Sequence, residues 1–312
     1  LERLLTGDRR ALARTLSLVE NDQQKARLIL KELYPRTGQA HIIGFTGAPG
    51  VGKSTLVSQV ITGFREKGRR VGVIAVDPSS PFTGGAILGD RIRMQGARID
   101  EGVFIRSLAT RGHLGGLARA TGDMVKVLDA AGFPVILVET VGTGQSEVDI
   151  MRLAHTTVVV LAPGLGDDIQ VIKAGILEIG DIFVVNKADR EGADRTVMEL
   201  EMMLDLAERE QGEYWRPPIL RTVARDGQGV PALVESLEAH LAYLRTTGRW
   251  EALRLKMGQE ELLRTAQELA GELIRQRAEE NGYLETLVQA VGRRELDPYT
   301  AAEEILRRAR FG

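Results

Sequence analysis

The sequence has no cysteine in its 312 residues. Disulfide cross-links and thiolate metal sites are therefore excluded, and a cytoplasmic protein held together by ordinary packing is the expectation. An excess of either charge is missing too, since 41 basic residues against 43 acidic ones leave a net charge of -2. That balance lacks the basic footprint by which a domain holds nucleic acid, so no nucleic-acid partner is expected. No apolar run reaches the length of a membrane span and none resembles a secretory leader, so no membrane association is expected either. Histidine is scarce: His41, His113, His155 and His240 are spread along the chain, which argues against a clustered transition-metal site.

What is present is a strong phosphate-binding pattern. Gly47-Ala48-Pro49-Gly50-Val51-Gly52-Lys53-Ser54-Thr55 fits G-x-x-x-x-G-K-[ST]. The run His41 to Phe45 before it reads as a short buried strand, and Leu56, Val57, Val60, Ile61 and Phe64 after it recur at helical spacing until Gly68. The motif has meaning only between a strand and a helix, and here it has both. Glycines let successive N–H groups point into one concavity, and the positive end of the helix dipole adds to it, so the loop suits a di- or triphosphate. Lys53 is placed against the β- and γ-phosphates and the Ser54 hydroxyl on Mg²⁺.

Three segments follow from periodicity. Residues 1–40 carry leucine and alanine at helical spacing with a break at Asn21-Asp22, an N-terminal helical extension. Residues 41–247 alternate helical patterns with apolar strands at 42–46, 71–76, 103–106, 135–139, 157–162, 181–186 and 219–223. Continuous apolar runs imply burial on both faces, hence a mainly parallel sheet between helices, the α/β architecture of a P-loop NTPase. Residues 248–312 form a helical arm with Leu255, Leu262, Ala266, Leu269 and Leu273 on one stripe. Such a stripe serves either as core of its own domain or as a seam to a second copy. We expect the second, a homodimer through this arm.

Every motif falls at the C-terminal end of a strand, where ligands of parallel sheets bind. Asn186-Lys187-Ala188-Asp189 matches N-K-x-D after an apolar strand. Guanine offers N1–H and a 2-amino group to one carboxylate, which Asp189 supplies, whereas adenine presents a lone pair at that ring position. Asn186 is expected to tie base to phosphate loop, and the Lys187 stem to lie along the ring. Thr222, Val223, Ala224 and Arg225 stand where a backbone N–H is brought to the guanine carbonyl. For the metal, Asp77, Asp90 and Glu139 all follow strands, and Mg²⁺ bound with a nucleotide takes a hydroxyl, phosphate oxygens and waters held by carboxylates. Glu139 opens an E-x-x-G whose Gly142 N–H can reach the γ-phosphate.

Residues 77–94 (Asp77-Pro78-Ser79-Ser80-Pro81-Phe82-Thr83-Gly84-Gly85 through Asp90-Arg91-Ile92-Arg93-Met94), with Glu139-Thr140-Val141-Gly142-Thr143-Gly144-Gln145-Ser146-Glu147, resemble the signatures of the MeaB/ArgK-type GTPases. These accompany adenosylcobalamin-dependent acyl-CoA mutases, chiefly methylmalonyl-CoA mutase. The resemblance spans nearly the whole chain. It implies a SIMIBI-class GTPase, homodimeric through its C-terminal arm, that gates cofactor delivery to the mutase and protects or reactivates it; adenosylcobalamin enters only through that partner. It also carries the Mg²⁺ role onto Asp77, Asp90 and Glu139, and implies a mobile segment at 164–180, with Lys173, coupling nucleotide state to the mutase. The usual Ser of the guanine loop is Val223 here.

The expected reaction is in-line attack of water on the γ-phosphate of GTP, with Lys53, Mg²⁺ and backbone donors absorbing charge and GDP and phosphate leaving. No Gln directly follows Gly142; the nearest is Gln145, so turnover without a partner is expected to be slow. Three alternatives stand beside this reading, one of them a non-enzymatic, nucleotide-gated scaffold that binds the mutase and uses turnover only as a timer. A metal-insertion GTPase needs clustered His or Cys, and a kinase of an amino-acid-binding transport protein needs a phosphoryl acceptor site.

Overall fold

The computed structural model describes residues 1–77, 100–109, 114–140, 151–164, 179–207, 215–279 and 282–308. Within them the Val/Ile/Leu runs become β1 (His41–Thr46), β2 (Val71–Asp77), β3 (Val103–Ala109), β4 (Val135–Glu139), β5 (Thr156–Leu161), β6 (Ile182–Asn186) and β7 (Ile219–Thr222). They form one sheet in the order β3-β2-β4-β1-β5-β6-β7, and every neighbouring pair is parallel. The expected architecture holds, with strand ends displaced by a few residues. The largest displacement is at β3, which runs on to Ala109. Arg106 and Ser107 interrupt its apolar run, yet the Arg106 guanidinium donates to Glu20 Oε2 at 2.5 Å and to Ser17 Oγ at 3.2 Å on a covering helix.

The period-2 alternation of strand side chains sorts the core into layers. Ile43, Phe45, Val71, Val73, Val135, Leu137, Val158, Val160, Ile182 and Val184 face one side. There they meet α4 (Lys53–Glu66) through Leu56, Val60 and Phe64, and α7 (Val230–Thr246) through Leu233, Val234 and Leu237. The other face is divided. Ile42, Ile74, Val76, Ile136 and Val138 pack under the N-terminal helices and α5 (Leu114–Ala130), while Val159, Leu161, Phe183 and Val185 pack under α6 (Ala193–Ala207). The N-terminal extension is α1 (Glu2–Leu5), α2 (Arg9–Asn21) and α3 (Gln23–Leu33). Its predicted break falls at Asp22, whose carboxylate caps α3 by accepting from the Lys25 N–H at 3.0 Å.

Two compact units result, Leu1–Arg249 and Trp250–Gly312. The second takes nearly all of α8 (Arg249–Glu279), with α9 (Tyr283–Gly292) and α10 (Pro298–Arg308). Asp297 caps α10 through the amides of Tyr299 and Thr300 at 2.9 and 3.0 Å. The Arg308 guanidinium lies 4.2 Å from the Tyr283 ring centroid. Along α8, Leu255, Leu262 and Leu269 are 75%, 68% and 42% exposed, so in this unit the stripe is not core. No described helix is long and apolar enough to cross a membrane.

Spread in sequence, three of the histidines come together at the N-terminal ends of β1 and β5, while His113 lies outside the described residues. Buried Thr156 joins them: its hydroxyl lies 2.7 Å from His41 Nε2 and 2.8 Å from His240 Nδ1. His155 Nδ1 accepts the Ile42 N–H at 3.1 Å, and Asp181 Oδ1 stands 3.5 Å from His240 Nε2. They do not converge on a point, and no described group of three His, Cys, Asp or Glu could hold a metal ion.

Burial, and then the charges of His155, His240 and Arg245, hold His41 well below the ordinary imidazole pKa. Burial alone lowers His240 to about 4. It raises Asp181 to about 7, against the Thr157 N–H bond that lowers it. The Asp181 carboxyl therefore favours the folded state fully below its ordinary value of 3.8, and that contribution is lost as pH climbs through about 7. The two lowered imidazoles act oppositely, adding stability as pH rises toward 6.5. Asp181→Asn removes only the first trend. Because 34% of that side chain meets solvent, screening shrinks the effect. The variant should match wild type near pH 4 and exceed it by about 1–2 kcal/mol at pH 8. Urea unfolding at both pH values measures this, and a pH-independent difference would contradict it.

Candidate functional site

At the C-terminal end of β1 the chain turns through residues 47–52 into α4. The turn is tight enough that two glycines are obligatory. Gly47 has φ +142°, and a Cβ there would lie 2.1 Å from the Val160 carbonyl oxygen; Gly52 has φ +97°, and its Cβ would lie 2.5 Å from Asn186 Nδ2. Ala48 and Val51 are buried in the core layer shared with α4, which seats the loop against the sheet. Lys53 opens α4 and is itself buried. Its ammonium folds back over the loop, donating to the carbonyl oxygens of Gly47 at 2.6 Å and Ala48 at 3.0 Å. A cation, a glycine turn and a helix N-terminus thus share one concavity, a combination suited to phosphate.

The next residue makes the second contact of the site. Ser54 Oγ donates to Glu139 Oε1 at 2.6 Å. Glu139 is the buried last residue of β4, in register with Phe45 of β1. Thr140 fastens that strand end, its N–H and hydroxyl donating to the Phe45 carbonyl at 3.1 and 3.2 Å. Hydroxyl and carboxylate together are a hard-oxygen donor set, which fits Mg²⁺. Asp77 ends β2 two residues beyond Ala75, the register partner of Glu139, and so belongs to the same sheet edge. Asp90, Gly142, Gln145 and Lys173 lie outside the described residues.

The third part comes from β6. Asn186, buried at its end, donates through Nδ2 to the Val51 carbonyl at 2.8 Å. Its Oδ1 accepts from the Ala224 N–H and the Thr222 hydroxyl, each at 3.0 Å. Lys187 takes a left-handed backbone conformation, φ 56°, rare for a residue with a side chain and common where chains are shaped by function. Its Nζ donates to the Gly50 carbonyl at 2.6 Å, and the Ala188 N–H donates to Thr222 O at 3.0 Å. Asp189 is exposed at the rim. Arg225 pairs with Asp226 through two bonds of 2.9 Å, and its pKa is raised by that hydrogen bonding first and by the charges of Asp226 and Asp189 after it. Val223 is buried, its N–H donating to Gln228 O at 3.0 Å.

Sequence reasoning placed Thr222 in the base loop without a role for its side chain, yet its hydroxyl donates to Asn186 and orients it. Its place at the end of a strand is the one signal that could have marked the hydroxyl. Asn186→Ala should strand the Val51 carbonyl, the Ala224 N–H and the Thr222 hydroxyl, at a cost of about 2–5 kcal/mol by the usual penalty for unpaired buried groups. Denaturant unfolding reads this directly, and a loss under about 1 kcal/mol would show that the three groups re-pair.

A family model described as "Methylmalonyl Co-A mutase-associated GTPase MeaB" matches residues 12–282. A protein of Pyrococcus abyssi, classed as a GTPase by name alone, is 53% identical over 98% of this chain and 95% of its own. The GTPase ArgK of Escherichia coli is 34% identical over 98% of this chain and 94% of its own. Among solved structures, one described as an LAO/AO transport system kinase superposes with a TM-score of 0.72 at 27% identity, covering 98% of this chain and 95% of that one. With a phosphate loop, a carboxylate–hydroxyl pair and an Asn-Lys-x-Asp rim on one sheet edge, and a model match over most of its length, the chain belongs to the MeaB family of P-loop GTPases.

Proposed function

We propose that this GTPase is the nucleotide-dependent chaperone of an adenosylcobalamin-dependent acyl-CoA mutase of the methylmalonyl-CoA mutase type. Hydrolysis of GTP to GDP and phosphate gates cofactor delivery and protects or reactivates the mutase. The single observation that carries the mutase assignment is the match of residues 12–282 to a mutase-associated family model. In the reading we favour, Gly47 to Thr55 wrap the phosphates, Lys53 takes the γ-phosphate charge, and Asp189 selects guanine with Asn186 and Lys187 supporting it. Ser54 and Glu139, with Asp77 and Asp90, would hold Mg²⁺, which would offset the negative charge of the phosphates. The hydrogen bond between Ser54 and Glu139 supports this pairing. Gly142, Gln145 and Lys173 belong to the segments that respond to the γ-phosphate, and the exposed α8 leucines at seven-residue spacing support dimerisation through the arm.

The test is to mix the full chain, GTP and a purified adenosylcobalamin-dependent methylmalonyl-CoA mutase, and to follow phosphate release and co-elution. Co-elution in a non-hydrolysable GTP analogue, with turnover raised about tenfold or more, is the expected result, on the scale of partner-assisted GTPases. The absence of both co-elution and acceleration would overturn the proposal. The kinase reading draws on the described role of the 27%-identical structure. Labelled γ-phosphate decides it, since a kinase leaves label on protein and a GTPase releases it as free phosphate.

A further inference from the structure

A cavity of about 520 Å³ opens at the end of the sheet opposite the phosphate loop. It lies where β1 and β4 begin, beside His41 and Val135, between the C-terminal stretches of α4 and α7. The 14 residues of α4 separate it from Lys53 by about 20 Å at helical rise, so it is no part of the nucleotide site. Its volume is that of a small-molecule pocket.

The lining combines two chemistries. Phe64 and Leu241 supply an apolar wall, and the exposed residues Arg69 and Arg245 line the same space. Glu238, the one carboxylate of the lining, is already paired with Lys67. The local balance is therefore positive. His41 borders it with a buried imidazole held well below its ordinary pKa chiefly by burial, its Nε2 already engaged by the Thr156 hydroxyl. Guanidiniums favour planar or tetrahedral oxyanions, and the apolar wall favours a carbon body attached to them.

We propose that this cavity is a second ligand site, taking a small organic anion with a compact apolar body whose oxyanion sits between Arg69 and Arg245. Isothermal titration of the full chain tests it with three probes: hexanoate, 1-hexanol and inorganic phosphate. Hexanoate is expected to bind saturably with one site per chain, and hexanol and phosphate at least about tenfold more weakly, the loss of one charge-assisted contact set or of the apolar burial. Arg69→Gln and Arg245→Gln should each weaken hexanoate about tenfold, with GTP affinity within about twofold because both side chains are exposed and remote from residues 47–55. Leu241→Trp, which fills the cavity and keeps both arginines, should abolish hexanoate binding. Three results would overturn the site: hexanol or phosphate matching hexanoate, undiminished binding in the arginine variants, or undiminished binding in Leu241→Trp.

Discussion

Replacing Lys53 by methionine is expected to cut GTP turnover by about a thousandfold, the scale on which enzymes lose rate when one preorganised charge is removed from a developing oxyanion. The side chain is buried at the first position of α4 and its ammonium is held over the loop by the carbonyls of Gly47 and Ala48. Those bonds keep the ammonium over the loop, where exchanging a carbonyl for a phosphate oxygen would bring its charge onto the nucleotide. Methionine keeps the unbranched stem and its packing, so melting should shift by only a few degrees, a change of about 1 kcal/mol. Steady-state phosphate release and a thermal melt on the same preparation suffice. A loss of less than about tenfold would remove Lys53 from the charge-bearing role.

Asp189→Asn is expected to reverse base preference without unfolding the protein. A carboxylate accepts two hydrogen bonds at once from N1–H and the 2-amino group of guanine; an asparagine offers one acceptor and one donor, and the donor faces the 2-amino group. GTP affinity should fall by roughly a hundredfold or more, as for a recognition site left with an unpaired polar group. Xanthine carries a carbonyl where guanine has its amine, so XTP should gain on the variant by a similar factor. Asp189 is exposed at the rim, and its replacement leaves the Asn186 bonds to Val51, Thr222 and Ala224 in place. Competition binding with GTP, XTP and ATP reads the outcome. Equal losses for all three nucleotides would mean that Asp189 shapes the loop and does not read the base.

The phosphate loop was legible because its chemistry is local. Glycines, lysine and serine act through the backbone of one strand-turn-helix, and the positive φ at Gly47 and Gly52 is what that spacing requires. Strand identity was equally legible from the continuous apolar runs, and the sheet is parallel for the reason those runs gave: both faces are covered. Boundaries were less so. The Arg106 side chain breaks the pattern of β3, and its acceptors lie in α2, far away in sequence.

Sequence alone thus determined the layered parallel architecture and the phosphate loop, since each depends on spacing within one or two elements. Tertiary structure alone decided which distant groups meet. Periodicity assigns a side chain to a face but says nothing of which strand lies beside it. Register places Glu139 beside Phe45 and so under the Ser54 hydroxyl. Asn186 reaches Val51 across 135 positions and Ala224 across 38. The same long-range pairing gathers His41, His155 and His240 around β1 and β5 and opens the arginine-lined cavity between α4 and α7. Those contacts depend on strand order and helix packing, which arise only when the whole chain closes on its core.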